Sequence, residues 1–324
     1  MNASPVEAVE ATASLAPMLR AAYEHCQQIA KREAKNFYYA FRVLPQHKRN
    51  AMCAIYAFMR RADDIADDEG LSIAARRRVM SDWLGAWRES SRSDADLMFV
   101  AVRDTQRRFA ISDELLEQLV RGTTMDLEEA VSGTVTVTVT TSAQTFQVYD
   151  RFDDLYQYCY LVASVVGLVC IRIFGYTDPH AEVLAEKVGI AFQLTNILRD
   201  VKEDAERRRI YLPLEDLEAT HVEVEHLVLA ATGAMRSATV APVLTLEAER
   251  AKDYYRSADE LIPLLDADSR AAMWVLVTIY RELLERIVAN GCDVFSERAS
   301  VPSSRKLMIL AQGAAKSLGN RVGA

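Results

Sequence analysis

Glycine and proline are scarce in this 324-residue chain, at 12 and 8. That shortage, beside abundant Ala, Leu, Arg and Glu, argues for long helices and an all-α architecture. Cysteine is scarce too. Cys26, Cys53, Cys159, Cys170 and Cys292 are scattered, with no CxxC and no metal-type spacing. Buried thiols in a reducing compartment are expected, not a disulfide framework or a zinc site. Basic residues are not in excess: 38 Lys and Arg stand against 46 Asp and Glu, a net charge of -8. Nucleic acid is therefore not an expected partner. The N-terminus "MNASPVEAVEATASLAP" has no basic region followed by a long apolar run, so it does not read as a secretory signal. Residues 1–20 read as a flexible segment. The most apolar stretch, "LVASVVGLVCI" (161–171), is short and stopped by Arg172, so no membrane span is expected. A cytoplasmic protein is expected, with peripheral contact to a membrane left open as a route for a greasy ligand. No internal repeat, clear linker or Gly-rich dinucleotide fingerprint is found.

Half of the residues are hydrophobic, enough for one large core or two ordinary domains. A single domain over 1–324 is the expectation. Pro45 fits the first position of a helix that continues through Tyr56 into an acidic cluster. Ser112 can cap a helix through the 120s. A long helix should run from about Asp153 to Ile173, with Gly175 just past its end. Asp178-Pro179 opens a helix that passes Asp204, and Asp268 starts another ending near Gly291. One stretch departs from the helical pattern. "SGTVTVTVTTSAQTFQ" (132–147) alternates Thr and Val as a strand does, and reads as an inserted surface loop or small hairpin. A flap over a neighbouring pocket is the sharper alternative.

The cluster "RRADDIADDEG" (60–70) holds Asp63, Asp64, Asp67, Asp68 and Glu69. On a helix Tyr56, Arg60, Asp63 and Asp67 share one stripe, since offsets of four, seven and eleven residues bring the chain back to one side. "FQLTNILRDVKEDAERRRIYLP" (192–213) repeats the arrangement with Gln193, Asn196, Asp200 and Asp204, while Ile190, Leu194, Ile197 and Val201 form the opposite face. Like charges at i,i+4 repel, and more strongly when desolvated; a cation reverses the sign. The donors are hard oxygens with no His or Cys among them, which suits Mg²⁺ and not zinc. Mg²⁺ binds through one or two carboxylates plus substrate phosphates, so two facing stripes would hold a diphosphate. Arg60, Arg61, Arg199, Lys202 and Arg207 to Arg209 could neutralise the remaining phosphate charge. A lone D-x-x-x-D is usually a solvated helix face; two matched stripes are less easily a coincidence.

These segments, with "NFYYAFRVLPQHKRNAMCAIYAFMRRADDIADD" and "YCYLVASVVGL", resemble the squalene/phytoene synthases, the head-to-head prenyltransferases, over roughly residues 30–300. The resemblance implies a single all-α isoprenoid-synthase-type bundle around a central apolar cavity. It implies that Asp63, Asp67, Asp200 and Asp204, with Asn196 and Gln193, hold Mg²⁺ on prenyl diphosphates. It places Arg60, Arg199, Lys35, Tyr280 and Arg298 around the phosphates, and Phe37, Phe41 and Tyr56 near the reacting carbons. Tyr158 falls beside the ionising centre. Ala163, Ser164 and Gly167 can make room for prenyl tails, pack helices closely, or do both. The chain departs from the family pattern at "EAKNF", where a His or Ser-rich entry is usual. It also departs at "VAS", where Ser164 replaces a common glycine and is reminiscent of presqualene-type enzymes.

The implied reaction ionises one prenyl diphosphate, and the C2=C3 double bond of a second attacks its C1 to give a cyclopropyl intermediate. Farnesyl diphosphate, leading to presqualene diphosphate or squalene, is the favoured substrate. Geranylgeranyl diphosphate, leading to phytoene, is the alternative, and NADPH use stays open. The rivals are a head-to-tail synthase or cyclase on the same fold, a non-catalytic helical assembly factor of the family, and a generic scaffold.

Overall fold

The helix that enters the acidic cluster spans Gln46–Ala66. In the computed structural model Pro45 stands at its N-cap, with φ -54° and ψ 152°, and not at the first helical position. The ring sets φ in either place, and the extended ψ delays the first turn by one residue. The structure describes residues 5–34, 40–91, 94–125, 132–141 and 143–322. They group into two compact units.

The first unit is Met1–Glu128 with Arg172–Gly175. It holds α1 (Pro5–Glu33), α2 (Gln46–Ala66), α3 (Ile73–Glu89), α4 (Leu97–Phe109) and α5 (Asp113–Thr124). α1 runs through much of the stretch set apart in the sequence as flexible; its Ala and Glu residues are good helix formers. α1, α2 and α4 pack on one another, and α3 and α5 lie against α2. The core gathers aromatics: Phe58 lies 4.7 Å from Trp83 and 5.2 Å from Trp87, centroid to centroid, and the Arg103 guanidinium sits 4.7 Å over Trp87. Ser72, Asp96 and Ser112 cap α3, α4 and α5 by accepting backbone N–H bonds, which satisfies donors a helix start leaves open. The fully buried Asp104 is balanced by Tyr23, Arg107 and Arg108, which donate at 2.9, 2.9 and 2.5 Å.

The second unit is Glu129–Ile171 with Tyr176–Ala324. The Thr/Val stretch forms a hairpin, β1 (Thr134–Val139) and β2 (Gln144–Tyr149), paired from Thr134↔Tyr149 to Val139↔Gln144. A third strand, β3 (Arg209–Ile210), adds to β2 in parallel; its two residues carry no periodicity that a sequence could show. Then come α6 (Phe152–Cys159), a π turn (Tyr160–Ser164) and α7 (Val165–Phe174) as one continuous helical run, of which the residues from Arg172 on count with the first unit. At 23 residues this run is long and apolar enough to cross a membrane by length and composition, which exceeds the short stretch read from sequence. Leu155, Cys159, Ser164, Val165, Val169 and Ile171 within it are buried in the protein.

The π turn lies at a close helix contact. A Cβ on Gly189 would lie 2.5 Å from Ser164 Cα, and one on Gly167 would lie 3.2 Å from the Ala185 carbonyl. The backbones of this run and of α8 (His180–Glu206) therefore touch, and Ser164 Oγ donates 2.7 Å to the Glu186 carbonyl. Asp178 caps α8 by accepting from the His180 N–H at 2.8 Å, and Pro179 has helical φ and ψ. Around α8 pack α10 (Val224–Ala231), α11 (Ala241–Leu264) and α12 (Arg270–Ala289), while α13 (Ser303–Val322) lies on α12. The short α9 (Leu214–Ala219) is pinned to α11 by Arg250, whose NH1 and NH2 donate to both Asp216 oxygens at 2.7 and 2.9 Å.

Candidate active site

In the first unit the acidic stripe lies at the end of α2. Ala51 to Ile55, Ala57, Phe58, Ala62, Ile65 and Ala66 are buried, which fixes the rotation of the helix. Tyr56, Arg60 and Asp63 come out partly accessible on the remaining face, and Asp67 is the exposed C-cap residue, its N–H bonded to the Asp63 carbonyl at 2.8 Å. Arg60 pairs with Asp64 at 2.7 Å, not with the two carboxylates of its own stripe. Burial, with Asp67 and Asp64 adding to it against the pull of Arg60, pushes the Asp63 carboxyl up to about 6. Asp68 and Glu69 are exposed. Phe41 is buried. Lys35 and Phe37 lie outside the described residues.

In the second unit Gln193, Asn196, Asp200 and Asp204 line one half-accessible stripe of α8, and Ile190, Leu194, Ile197 and Val201 are buried on the other side. Asn196 Nδ2 donates to Gln193 Oε1 at 3.3 Å, while Asn196 Oδ1 is buried without a hydrogen-bond partner. Burial pushes the Asp200 carboxyl up, but Arg199 and Arg298 outweigh it and hold it below the ordinary range. Arg199 Nε donates to Asp200 at 2.7 Å and Arg298 Nε at 2.9 Å. One turn on, burial and the Asp200 charge push the Asp204 carboxyl up to about 7. Tyr280 on α12 stacks on Phe192 at 4.4 Å, and burial raises its hydroxyl against the pull of Arg199 and Asn196. Tyr158 stands in an aromatic cluster, 4.9 Å from Tyr211 and 5.7 Å from Tyr149. Gly167 packs against α8, which is the close-packing alternative for the small residues of that helix.

Mg²⁺ fits this donor set. Among the described residues no group of three or more His, Cys, Asp and Glu side chains forms a closed site; each unit offers a carboxylate pair, the number Mg²⁺ uses when phosphates complete its shell. The unpartnered Asn196 oxygen and the raised Asp63 and Asp204 carboxyls are what a cation would relieve.

A family model described as squalene/phytoene synthase matches residues 30–305. The chain belongs to the squalene/phytoene synthase family. It is therefore a prenyltransferase of the type that condenses prenyl diphosphates head to head. Among its family relatives, the 15-cis-phytoene synthase of Synechococcus elongatus is 36% identical over 311 residues, covering 90% of this chain and 92% of that protein. The phytoene synthase of Mycobacterium tuberculosis is 34% identical over 302 residues, with 92% of both chains covered. A crystal structure described as a dehydrosqualene synthase in complex with ligand superposes with a TM-score of 0.75 at 28% identity, covering 93% of this chain and 98% of that one. The all-α isoprenoid synthase fold is that of this family.

Four features of the site escaped the sequence. Glu203 lies 3.4 Å from Arg298; it is one residue off the stripe, and nothing marked its long-range partner. Asp64 takes Arg60, a pairing its i,i+4 spacing could have suggested. Tyr211, in "IYLP", packs on Tyr158 across more than 50 residues, which no local pattern encodes. The π turn beside Tyr158 has no composition signal, although π turns concentrate at functional sites.

Proposed function

We propose that the protein is a Mg²⁺-dependent phytoene synthase that condenses two geranylgeranyl diphosphates. The carboxylate stripe of α8 carries this reading: Asn196, Asp200 and Asp204 aligned on one face, with Arg199 and Arg298 on Asp200. The phytoene synthases at 34–36% identity support the C20 substrate, so the alternative displaces the farnesyl substrate first favoured from sequence. Ser164, which pointed to presqualene-type enzymes, has a packing role against Glu186 and Gly189. The dehydrosqualene synthase likeness supports a C15 substrate as the second reading.

Asp63 and Asp67 in the first unit, and Asp200 and Asp204 with Asn196 in the second, are the residues that would hold Mg²⁺. When bound, Mg²⁺ supplies Lewis-acid neutralisation of the leaving diphosphate. Arg199 and Arg298, which pair with Asp200 in the free protein, would turn guanidinium forks to phosphate oxygens when substrate binds. The C1–O bond of one substrate breaks and diphosphate leaves with the electron pair. The C2=C3 π electrons of the second substrate form the new bond to C1, and loss of a proton closes the cyclopropane; the remaining C–O bond then ionises, the second diphosphate leaves, and rearrangement with loss of another proton gives the linear hydrocarbon. An aromatic face can stabilise such a cation, and the candidates are Phe41 and Tyr56 in the first unit and Tyr158 in the second. Purified protein with Mg²⁺ and geranylgeranyl diphosphate should form a C40 hydrocarbon. Asp63→Asn and Asp200→Asn should each lower turnover by about a hundredfold or more with unchanged circular dichroism. Full activity in Asp63→Asn would remove the metal assignment.

A further inference from the structure

Lys202 lies between the carboxylates of the second stripe, two residues after Asp200 and two before Asp204. At 100° per residue it points away from both. Its Nζ donates 3.1 Å to the Phe295 carbonyl. Phe295 belongs to the segment 290–302, which joins α12 to α13 without regular structure. The start of this segment is folded on itself: Asn290 Nδ2 donates to the Asp293 carbonyl at 3.0 Å, and the Asp293 carboxylate accepts from the Phe295 and Ser296 amides and the Ser296 hydroxyl. Three residues beyond Phe295, Arg298 reaches Asp200 and Glu203. The Arg298 side chain is 56% exposed, so packing does not hold it. Its place follows from its ion pairs with Asp200 and Glu203 and from the backbone of the segment, which Lys202 holds at the Phe295 carbonyl.

We propose that Lys202 is a positioning residue for the prenyl transfer. Through the Phe295 carbonyl it holds the 290–302 segment so that Arg298 stays at the phosphate end of the α8 stripe. The same helix thus carries the carboxylate that Arg298 meets and the cation that brings Arg298 to it. This rests on the reading of that stripe as a diphosphate site. Removing the ammonium frees the segment, and Arg298 must then be ordered each time substrate binds, a cost that appears in binding before it appears in the chemical step.

Lys202→Met removes the charge and keeps the stem. Lys202→Arg keeps a cation, and a cavity of about 470 Å³ lined by Lys202, Met235, Arg236 and Phe295 gives the longer side chain room. Without ligand, amide exchange across 294–300 should run about tenfold faster in Lys202→Met, as for a lost hydrogen bond from a charged group. It should stay near the native rate in Lys202→Arg. With substrate, Lys202→Met should raise KM for the prenyl diphosphate by about tenfold with kcat within about threefold. The KM effect should vanish in an Arg298→Gln background, because both changes act on one contact. Unchanged exchange across 294–300, or a KM effect that persists in full beside Arg298→Gln, overturns the proposal. If the native enzyme forms no condensation product, only the functional reading falls, since the exchange comparison needs no turnover.

Discussion

Asp63 and Asp204 carry carboxyls pushed up to about 6 and about 7, in each case by burial first and neighbouring carboxylates after it. A folded-state value above the unfolded one means that the native state binds the extra protons. Stability from these groups is therefore present at low pH and is lost as pH rises through that window. A divalent cation needs the same carboxylates charged, so it restores at high pH what their repulsion removes. The gain in Tm from Mg²⁺ with inorganic diphosphate should be larger at about pH 8 than at about pH 5.5, and Asp204→Asn should shrink the difference. Equal gains at both pH values would contradict the assignment. The alignment of these residues was legible in the sequence, because spacings of three and four along a helix fix a face. The ion pairs were not. Arg298 is 98 residues from Asp200 and sits in an irregular segment with no periodicity. Arg60, read as a partner of the stripe, turns to the off-stripe Asp64.

At the scale of the elements, helix boundaries followed from local chemistry. Ser112 and Asp178 cap where their side chains reach the open N–H groups, and Gly175 and Gly291 adopt positive φ just past helix ends. The Thr/Val alternation became strand β1, although Val139 is its one buried residue; the buried side of the hairpin is carried by Phe146 and Val148 of β2. Pairing with β3 depends on the chain after α8 returning to β2, which only the folded structure supplies. The contact of the π turn with α8 was equally invisible, because Ser164 and Gly189 are ordinary residues until their backbones meet. It makes a sharp prediction. Gly189→Ala places a methyl against Ser164 backbone atoms and should cost about 3 kcal/mol in chemical denaturation. Gly85→Ala in α3 meets nothing within 4 Å and should gain about 1 kcal/mol from helix propensity. A harmless Gly189→Ala would mean that the run from α6 to α7 can move off α8.

For the whole molecule, the two compact units each carry one carboxylate stripe, and the family match spans both. Motif spacing pointed to a diphosphate site, since that spacing answers its charge, and the resemblance of the longer segments pointed to the head-to-head prenyltransferases. It did not identify chain length, which depends on how far apolar side chains let a prenyl tail extend and not on any motif. Ser164 alone pointed to the shorter substrate, whereas relatives along nearly the full chain point to the longer one. The most direct measurement offers the purified enzyme equal amounts of farnesyl and geranylgeranyl diphosphate with Mg²⁺ and identifies the hydrocarbon by mass. The account predicts a C40 product with the mass of phytoene, formed from geranylgeranyl diphosphate alone. A C30 product, or no condensation product from either substrate, would contradict it.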